Sequence, residues 1–397
     1  MTTPALKAAH QPAPRYRAYT GPAIFAHGFR AFFFAAGCWA ALVMALWLAA
    51  WRGAIVLPTA FAPPIWHAHE LVFGYGVAAV TGFLLTAIPN WTGRFPLQGA
   101  PLAALVLLWL AGRIAVTASA LIGPWLAGMI DVAFLIVLWA FVVREILAGK
   151  NWRNLPMPLA LAALAVANAA THVDTLSAYG IRGGIAVLAA LIGLMGGRIV
   201  PSFTHNWLAK HAAIEMPAPF GLIDRVMLAL TVIALVSWVI APEWAGTGVA
   251  AGVAGIATVV RFGRWRGQDT TPEPLLWVLH LGYFWLAVGL GLIAAVPAWG
   301  ISPIVAIHAL TAGAIATMTL AVMTRASLGH SGRALTADVW TTLIYVLVTA
   351  AALARIAAHG FAANYAAWID AAGGLWIAAF TLFAVRYAPV LLRPKAD

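Results

Sequence analysis

Stretches of about 20 residues with almost no charge recur along nearly the whole chain, and they limit what it can fold into more than any other feature. Hydrocarbon offers no water to backbone N–H and C=O groups, so an apolar stretch of about that length reads as a membrane-spanning helix. Read between Pro, Gly and charge breaks, the sequence yields twelve, at roughly 31–50, 66–89, 100–120, 125–145, 156–174, 181–202, 221–241, 244–262, 274–296, 301–325, 337–358 and 365–388. Charged residues are only 9% of the 397 and hydrophobic ones 63%, whereas a soluble chain carries about 25% charge. Such a chain cannot cover itself with a wettable surface. The expected fold is all-α, a polytopic membrane bundle of 12 transmembrane helices in one domain (31–388), between cytoplasmic tails at 1–30 and 389–397. Prolines at Pro63-Pro64, Pro101, Pro124, Pro156, Pro274 and Pro303 mark helix starts, where a missing N–H costs nothing.

The net charge of +11 suggests nucleic acid at first sight, but the basic residues stand singly between apolar stretches, so no nucleic-acid partner is expected. They orient the chain in the bilayer instead. With the N-terminus inside, all of the 23 Lys and Arg residues fall on the cytoplasmic side except Arg52, Arg113, Arg182 and Arg355, which is the asymmetry of a chain with both ends cytoplasmic. Residues 1–30 lack the short apolar core and small-residue cleavage site of a secretory signal. An arginine at the bilayer centre costs about 2.5–3.5 kcal/mol on insertion scales. Arg113 and Arg355 therefore either snorkel to the outer headgroups or clamp a buried anion: a carboxylate of Asp131, Asp174 or Asp370, or a cofactor propionate. The single cysteine, Cys38, excludes an intrachain disulfide and reads as a packing residue.

Eleven histidines are more than packing needs. His67 and His69 open the second segment on the outer side, His172 ends the fifth there, His308 lies in the first turns of the tenth, and His359 ends the eleventh. In WHAHELVFGYG (66–76), His67 and His69 are two apart, about 200° round a helix, so they face nearly opposite ways and serve one metal only from an irregular helix. They suit two neighbouring sites. Glu70 shares a face with His67 at i, i+3 and, as an intramembrane carboxylate, is a functional candidate. Each histidine is either a hydrogen-bond donor between helices or a ligand for haem iron, copper or zinc. The apolar surroundings suit haem, and without CxxCH any haem is non-covalent b-type.

The stretch from His69 to Arg94 aligns without gaps with that from His308 to Arg333, at an offset of 239. His69 meets His308, Gly74 meets Gly313, and Gly93-Arg94 meets Gly332-Arg333. That offset spans eight helices, or two units of four. Three four-helix units with histidines on the second and tenth helices resemble the haem-copper oxidase catalytic subunit, in which those helices hold a low-spin haem near the outer face. The sixth segment has no histidine at the matching position, and the seventh lacks the paired histidines that hold copper in that family.

A closer resemblance rests on GFRAFFF (28–34), WHAHELVFGYG (66–76), GFLLTAIPNWTGR (82–94), GRIVPSFTHNWL (197–208) and the run from His308 to GHSGR (329–333). Together these resemble the NnrS family. The resemblance implies a twelve-span bacterial inner-membrane protein containing haem b and copper, linked to denitrification, nitric oxide and nitrosative stress. On this reading His69 and His308, paired by the repeat, are the haem ligands. His67 is the second metal ligand or distal group, and His172 a further metal candidate. Arg113, Arg182 and Arg355 are propionate partners, and Glu70 relays protons or orients His67. The partners are nitric oxide, the lipid bilayer and, if NO is reduced by a reductase-like oxidoreductase, a quinol or redox-protein electron donor. The polar ends at Asn90-Trp91-Thr92 and 202–206 read as helix anchors, and a copper at His205 would be a separate site. The rival classes are a transporter of a metal, haem or NO-derived complex using the same histidines, and an accessory or sensory protein without turnover.

Overall fold

The computed structural model describes residues 19–360 and 362–394. Lys7, His10, Arg15, Arg17 and Lys395 lie outside the described residues. Among the described residues, twelve helices are long and apolar enough to cross a membrane: α1 (Gly28–Trp51), α2 (Pro63–Thr92), α3 (Ala100–Thr117), α4 (Pro124–Ala148), α5 (Trp152–Thr171), α6 (Asp174–Lys210), α7 (Leu222–Ile240), α8 (Ala245–Gly263), α9 (Pro274–Trp299), α10 (Pro303–His330), α11 (Val339–Ala357) and α12 (Tyr365–Leu392). No strand occurs among the described residues. The chain is a multi-pass, all-α membrane protein, with the helix count that its apolar segments imply. Helix ends differ from the sequence expectation: α1 begins at Gly28 inside the expected tail, α12 runs on to Leu392, and α6 is 37 residues long. The expected prolines occupy the first turns of α2, α3, α4, α9 and α10.

Three of the inner helices, α2, α6 and α10, are each interrupted by a π-helical segment, Glu70–Gly76, Ile192–Gly196 and Ala309–Ile315 respectively. The first and third correspond residue for residue at the repeat offset of 239. That of α6 is shorter, five residues against seven. A π turn is wider than an α turn and is uncommon outside functional sites. It leaves carbonyls that side chains must satisfy: Trp109 of α3 donates its indole N–H to Gly74 O at 3.1 Å, and Arg261 of α8 donates to Gly193 O at 2.8 Å.

The three inner helices pack against one another. The bare backbones of Gly76 and Gly184 allow this, because a Cβ there would strike Leu188 (2.8 Å) and Val72 (2.6 Å). Tyr75 and Thr319 are hydrogen-bonded between α2 and α10. The ring of helices closes where α12 meets α1. There Arg30 donates to the carbonyls of Val390 and Leu391, both at 3.1 Å, and Trp376 donates to Ala40 O at 3.0 Å. Leu107, Ile136, Val232, Ile256 and Val346 point outward, as a lipid-facing surface requires. Cys38 is exposed too, so it does not fill the core as the sequence suggested.

Candidate functional site

The opposite-facing prediction for His67 and His69 holds, and it generates two neighbourhoods on the two sides of α2. On one side, His67 lines an apolar cavity of about 420 Å³. Leu71, Val72 and Tyr75 of α2, Ile185 and Leu188 of α6, Ile307 and Thr311 of α10, and Trp376 of α12 contribute to its wall. His308 and Arg355 face the same space. The His67 ring stacks on Trp47 at 4.3 Å, and its buried Nδ1 has no hydrogen-bond partner. His308 Nδ1 lies 2.8 Å from the carbonyl of Ile304, one turn back. A carbonyl only accepts, so Nδ1 carries the proton and the neutral ring keeps its Nε2 lone pair free, which is the tautomer a metal-binding imidazole needs. Arg355 has a 3.5 Å contact to His359 Nε2 and a cation–π contact with Tyr365.

On the other side of α2 lies a polar cluster. His69 and Glu70 are fully buried, and Asp131, Arg113 and Asn168 are nearly so. Glu70 accepts from Trp39 (2.9 Å) and from Arg113 (2.9 Å), and lies 3.0 Å from His69 Nδ1. Arg113 also binds Asp131 Oδ1. The other Asp131 oxygen lies 3.0 Å from both His69 Nε2 and His172 Nε2, and Asn168 Oδ1 is 2.9 Å from His69 Nε2. Phe61, from the α1–α2 connection, covers both imidazoles at 5.4 and 5.2 Å. Ser119 pins that connection by accepting from the backbone N–H of Ala60.

These placements change several expected roles. The repeat paired His69 with His308, but the structure brings His308 together with His67. The sites part because equivalent positions on α2 and α10 meet different neighbours: α10 has Ala309 where α2 has Glu70. Glu70 orients His69 and not His67, because Arg113 and Trp39 hold its carboxylate on the His69 side of α2. Arg113 clamps Glu70 and Asp131, so it is not free for a propionate. Arg182 donates to the carbonyl of Val239 and stacks on Tyr179, away from the cavity. Of the three arginines, Arg355 alone lines it. His172 lies beside His69, its ring centroid 5.3 Å away. Asp131 was read only as an arginine partner, and Asn168 was not singled out at all.

At the opposite end of the molecule, His205, Lys210 and Arg325 line a cavity of about 690 Å³, separate from both histidine sites. His280, buried there, meets Thr204 at 2.9 Å and is a packing histidine. Buried Arg261 pairs with Asp224 at 3.0 Å near the π segment of α6.

No curated protein matches the chain. The family model described as NnrS protein matches residues 23–395. The chain belongs to the NnrS family.

Proposed function

We propose that this NnrS-family membrane protein binds one haem b in the cavity between α2, α6, α10 and α12, and through it handles nitric oxide in denitrification and nitrosative-stress resistance. The observation that carries the reading is the meeting of His67 and His308 in one apolar cavity, each with a buried or directed Nδ1. The cavity is within the usual size range of cofactor sites, about 300–1,000 Å³. The donor set fits haem: two imidazoles from different helices, aromatic and aliphatic walls, and a guanidinium for a propionate. Haem iron supplies NO binding and, given electrons, its conversion. His67 and His308 would hold it, the Ile304 carbonyl fixes the ring of His308, and Arg355 sets the orientation. Copper is the second cofactor on this reading, and reduction of NO would draw on a quinol or redox-protein donor. The distribution of Lys and Arg supports insertion in the bacterial inner membrane with both termini cytoplasmic.

Nitric oxide needs no polar route, being small and uncharged. Ion transport by the same histidines is less well supported. A small cavity of about 80 Å³ shares walls with both end cavities, and its lining, with residues such as Val80, Leu191, Met318 and Val322, offers an ion almost nothing to bind.

The test is a purified, haem-supplied preparation examined oxidised, dithionite-reduced and with NO added anaerobically, with iron counted on the same sample. We expect a b-type spectrum that shifts with NO, is lost in His67→Ala or His308→Ala, and persists in His69→Ala. A preparation without Soret absorbance or iron overturns the reading. Steady NO consumption with an added electron donor separates an enzyme from a binding protein.

A further inference from the structure

The His69 cluster lies outside the haem cavity, and its geometry poses a problem of its own. A neutral imidazole has one N–H and one lone pair. His69 has a carboxylate oxygen at 3.0 Å from each ring nitrogen, Glu70 Oε1 at Nδ1 and Asp131 Oδ2 at Nε2, with the Asn168 carboxamide oxygen also at Nε2. An N–H can satisfy the Nδ1 side. The Nε2 side then presents a lone pair to acceptors and needs something positive between them. His172 brings a second Nε2 to the same Asp131 oxygen at 3.0 Å, and the ligand atoms of His69, Asp131 and His172 all lie within 4.8 Å of one another. Ligand atoms about 2.0–2.2 Å from a tetrahedral ion stand roughly 3.3–3.6 Å apart, so the three need little rearrangement to close on one.

We infer that Nε2 of His69, Nε2 of His172 and Oδ2 of Asp131 hold a first-row transition-metal ion, with Asn168 Oδ1 beside it. Two imidazoles and one carboxylate suit zinc, copper, iron or nickel and do not suit the oxygen-seeking magnesium or calcium. The surroundings have the features of a metal site's outer shell. Glu70 holds the Nδ1–H of His69, and Arg113 holds the Asp131 oxygen not used by the ion, as ligating histidines and carboxylates require. Charge agrees: Glu70, Asp131 and Arg113 leave one net negative charge, which a monovalent ion, or a divalent ion carrying hydroxide, neutralises. Space has been cleared as well, since a Cβ at Gly128 would stand 3.0 Å from the His172 ring. This inference does not rest on the haem reading.

The experiment uses the full-length protein in detergent, loaded separately with Cu(II), Zn(II) and Co(II) and then desalted, with metal and haem counted per chain. About one equivalent of one of these metals is expected, falling at least tenfold in His172→Ala with the Soret band unchanged. The Cu(II) form should show coupling to two imidazole nitrogens in its electron spin resonance spectrum, and to one in His172→Gln. His172 sits at the edge of the cluster, so its removal leaves no buried charge unpaired; Asp131→Asn serves as the second variant. His308→Ala should keep the metal while losing haem, which separates failure of this site from failure of the haem site. Less than a tenth of an equivalent of every metal, or full retention in both His172→Ala and Asp131→Asn, overturns the assignment.

Discussion

His67 and His69 are two residues apart on α2, yet their surroundings are opposite in kind. His67 looks into a cavity walled by hydrocarbon and aromatic rings, with one guanidinium at its edge. His69 lies in a network of two carboxylates, an arginine, an amide and a second histidine. The first arrangement leaves imidazole nitrogens without protein partners and room beside them. The second gives both His69 nitrogens acceptors and leaves no comparable space. One short motif therefore supplies an apolar site suited to a large flat cofactor and a polar site suited to a single ion. The division follows from the roughly 200° between alternate residues on a helix, since both histidines lie in the α-helical turns that open α2.

The sharpest way to break that division is to change the register of α2 beyond the π segment. Deleting Val80, in the α-helical stretch that follows it, should turn everything before it by about 100° relative to the rest of α2. Both histidines would then leave their sites, so haem and bound metal should be lost together, whereas Val80→Ala should retain both. Counting iron and the second metal on the two variants checks this. Retention of either cofactor in the deletion variant would mean that the register of α2 does not set the two sites.

The two arginines offer the next contrast. Arg113 is 1% exposed and bridges Glu70 and Asp131, so Arg113→Met leaves two buried carboxylates without their cation. Breaking a buried pair in this way costs about 3–5 kcal/mol, enough to lower the yield of folded protein and its midpoint in thermal unfolding. Arg355 has no carboxylate partner among the described residues, and Arg355→Met should cost about 1 kcal/mol or less while weakening haem retention. Equal destabilisation by the two substitutions would show that Arg355 too is structural.

Much of this was legible in the sequence, for reasons that can be named. The twelve spans follow from the length of apolar stretch that a bilayer demands, and helix starts follow from proline. The separation of His67 from His69 follows from helical periodicity. What escaped was set by neighbours distant in sequence. The repeat matched His69 with His308, but Asp131 on α4, Asn168 on α5 and His172 at the end of α5 draw His69 into a polar cluster that α10 lacks. The π segments carry no composition signal, so that of α6 shows only in the backbone. Asp131 was legible as an anion for an arginine, and its second oxygen, shared by two histidines, required coordinates.

A smaller effect isolates the cluster from the cavity. In Gly128→Ala the new methyl group would press on the His172 ring from 3.0 Å, and α4 cannot retreat because Asp131, on the same helix, is bound to Arg113. His172 should tilt away. Metal affinity at the cluster is expected to fall by about tenfold, equivalent to about 1.4 kcal/mol, with the haem spectrum unaltered. Competition against a chelator of known affinity measures the shift, and a parallel loss of haem would contradict the independence of the two sites.

Acid should reveal which part of the molecule limits its stability, and neither histidine site is expected to do so first. His27 precedes α1 at the far end, stacked near Phe29 and close to His330. Burial, then the charges of Arg30 and His330, push its pKa down from 6.5 to about 4. The folded state thus binds this proton less readily than the unfolded state. The resulting stability is fully present above pH 6.5 and declines as pH falls from 6.5 toward 4, the window in which only the unfolded chain takes up the proton. Allowing for the partial exposure of His27, the loss should be about 1 kcal/mol. Thermal unfolding followed across that window should show the decline in the parent protein and a flatter profile in His27→Gln. If His27→Gln leaves the slope unchanged while His172→Gln flattens it, the acid-sensitive element is the cluster, and its separation from bulk solvent is less complete than its burial implies.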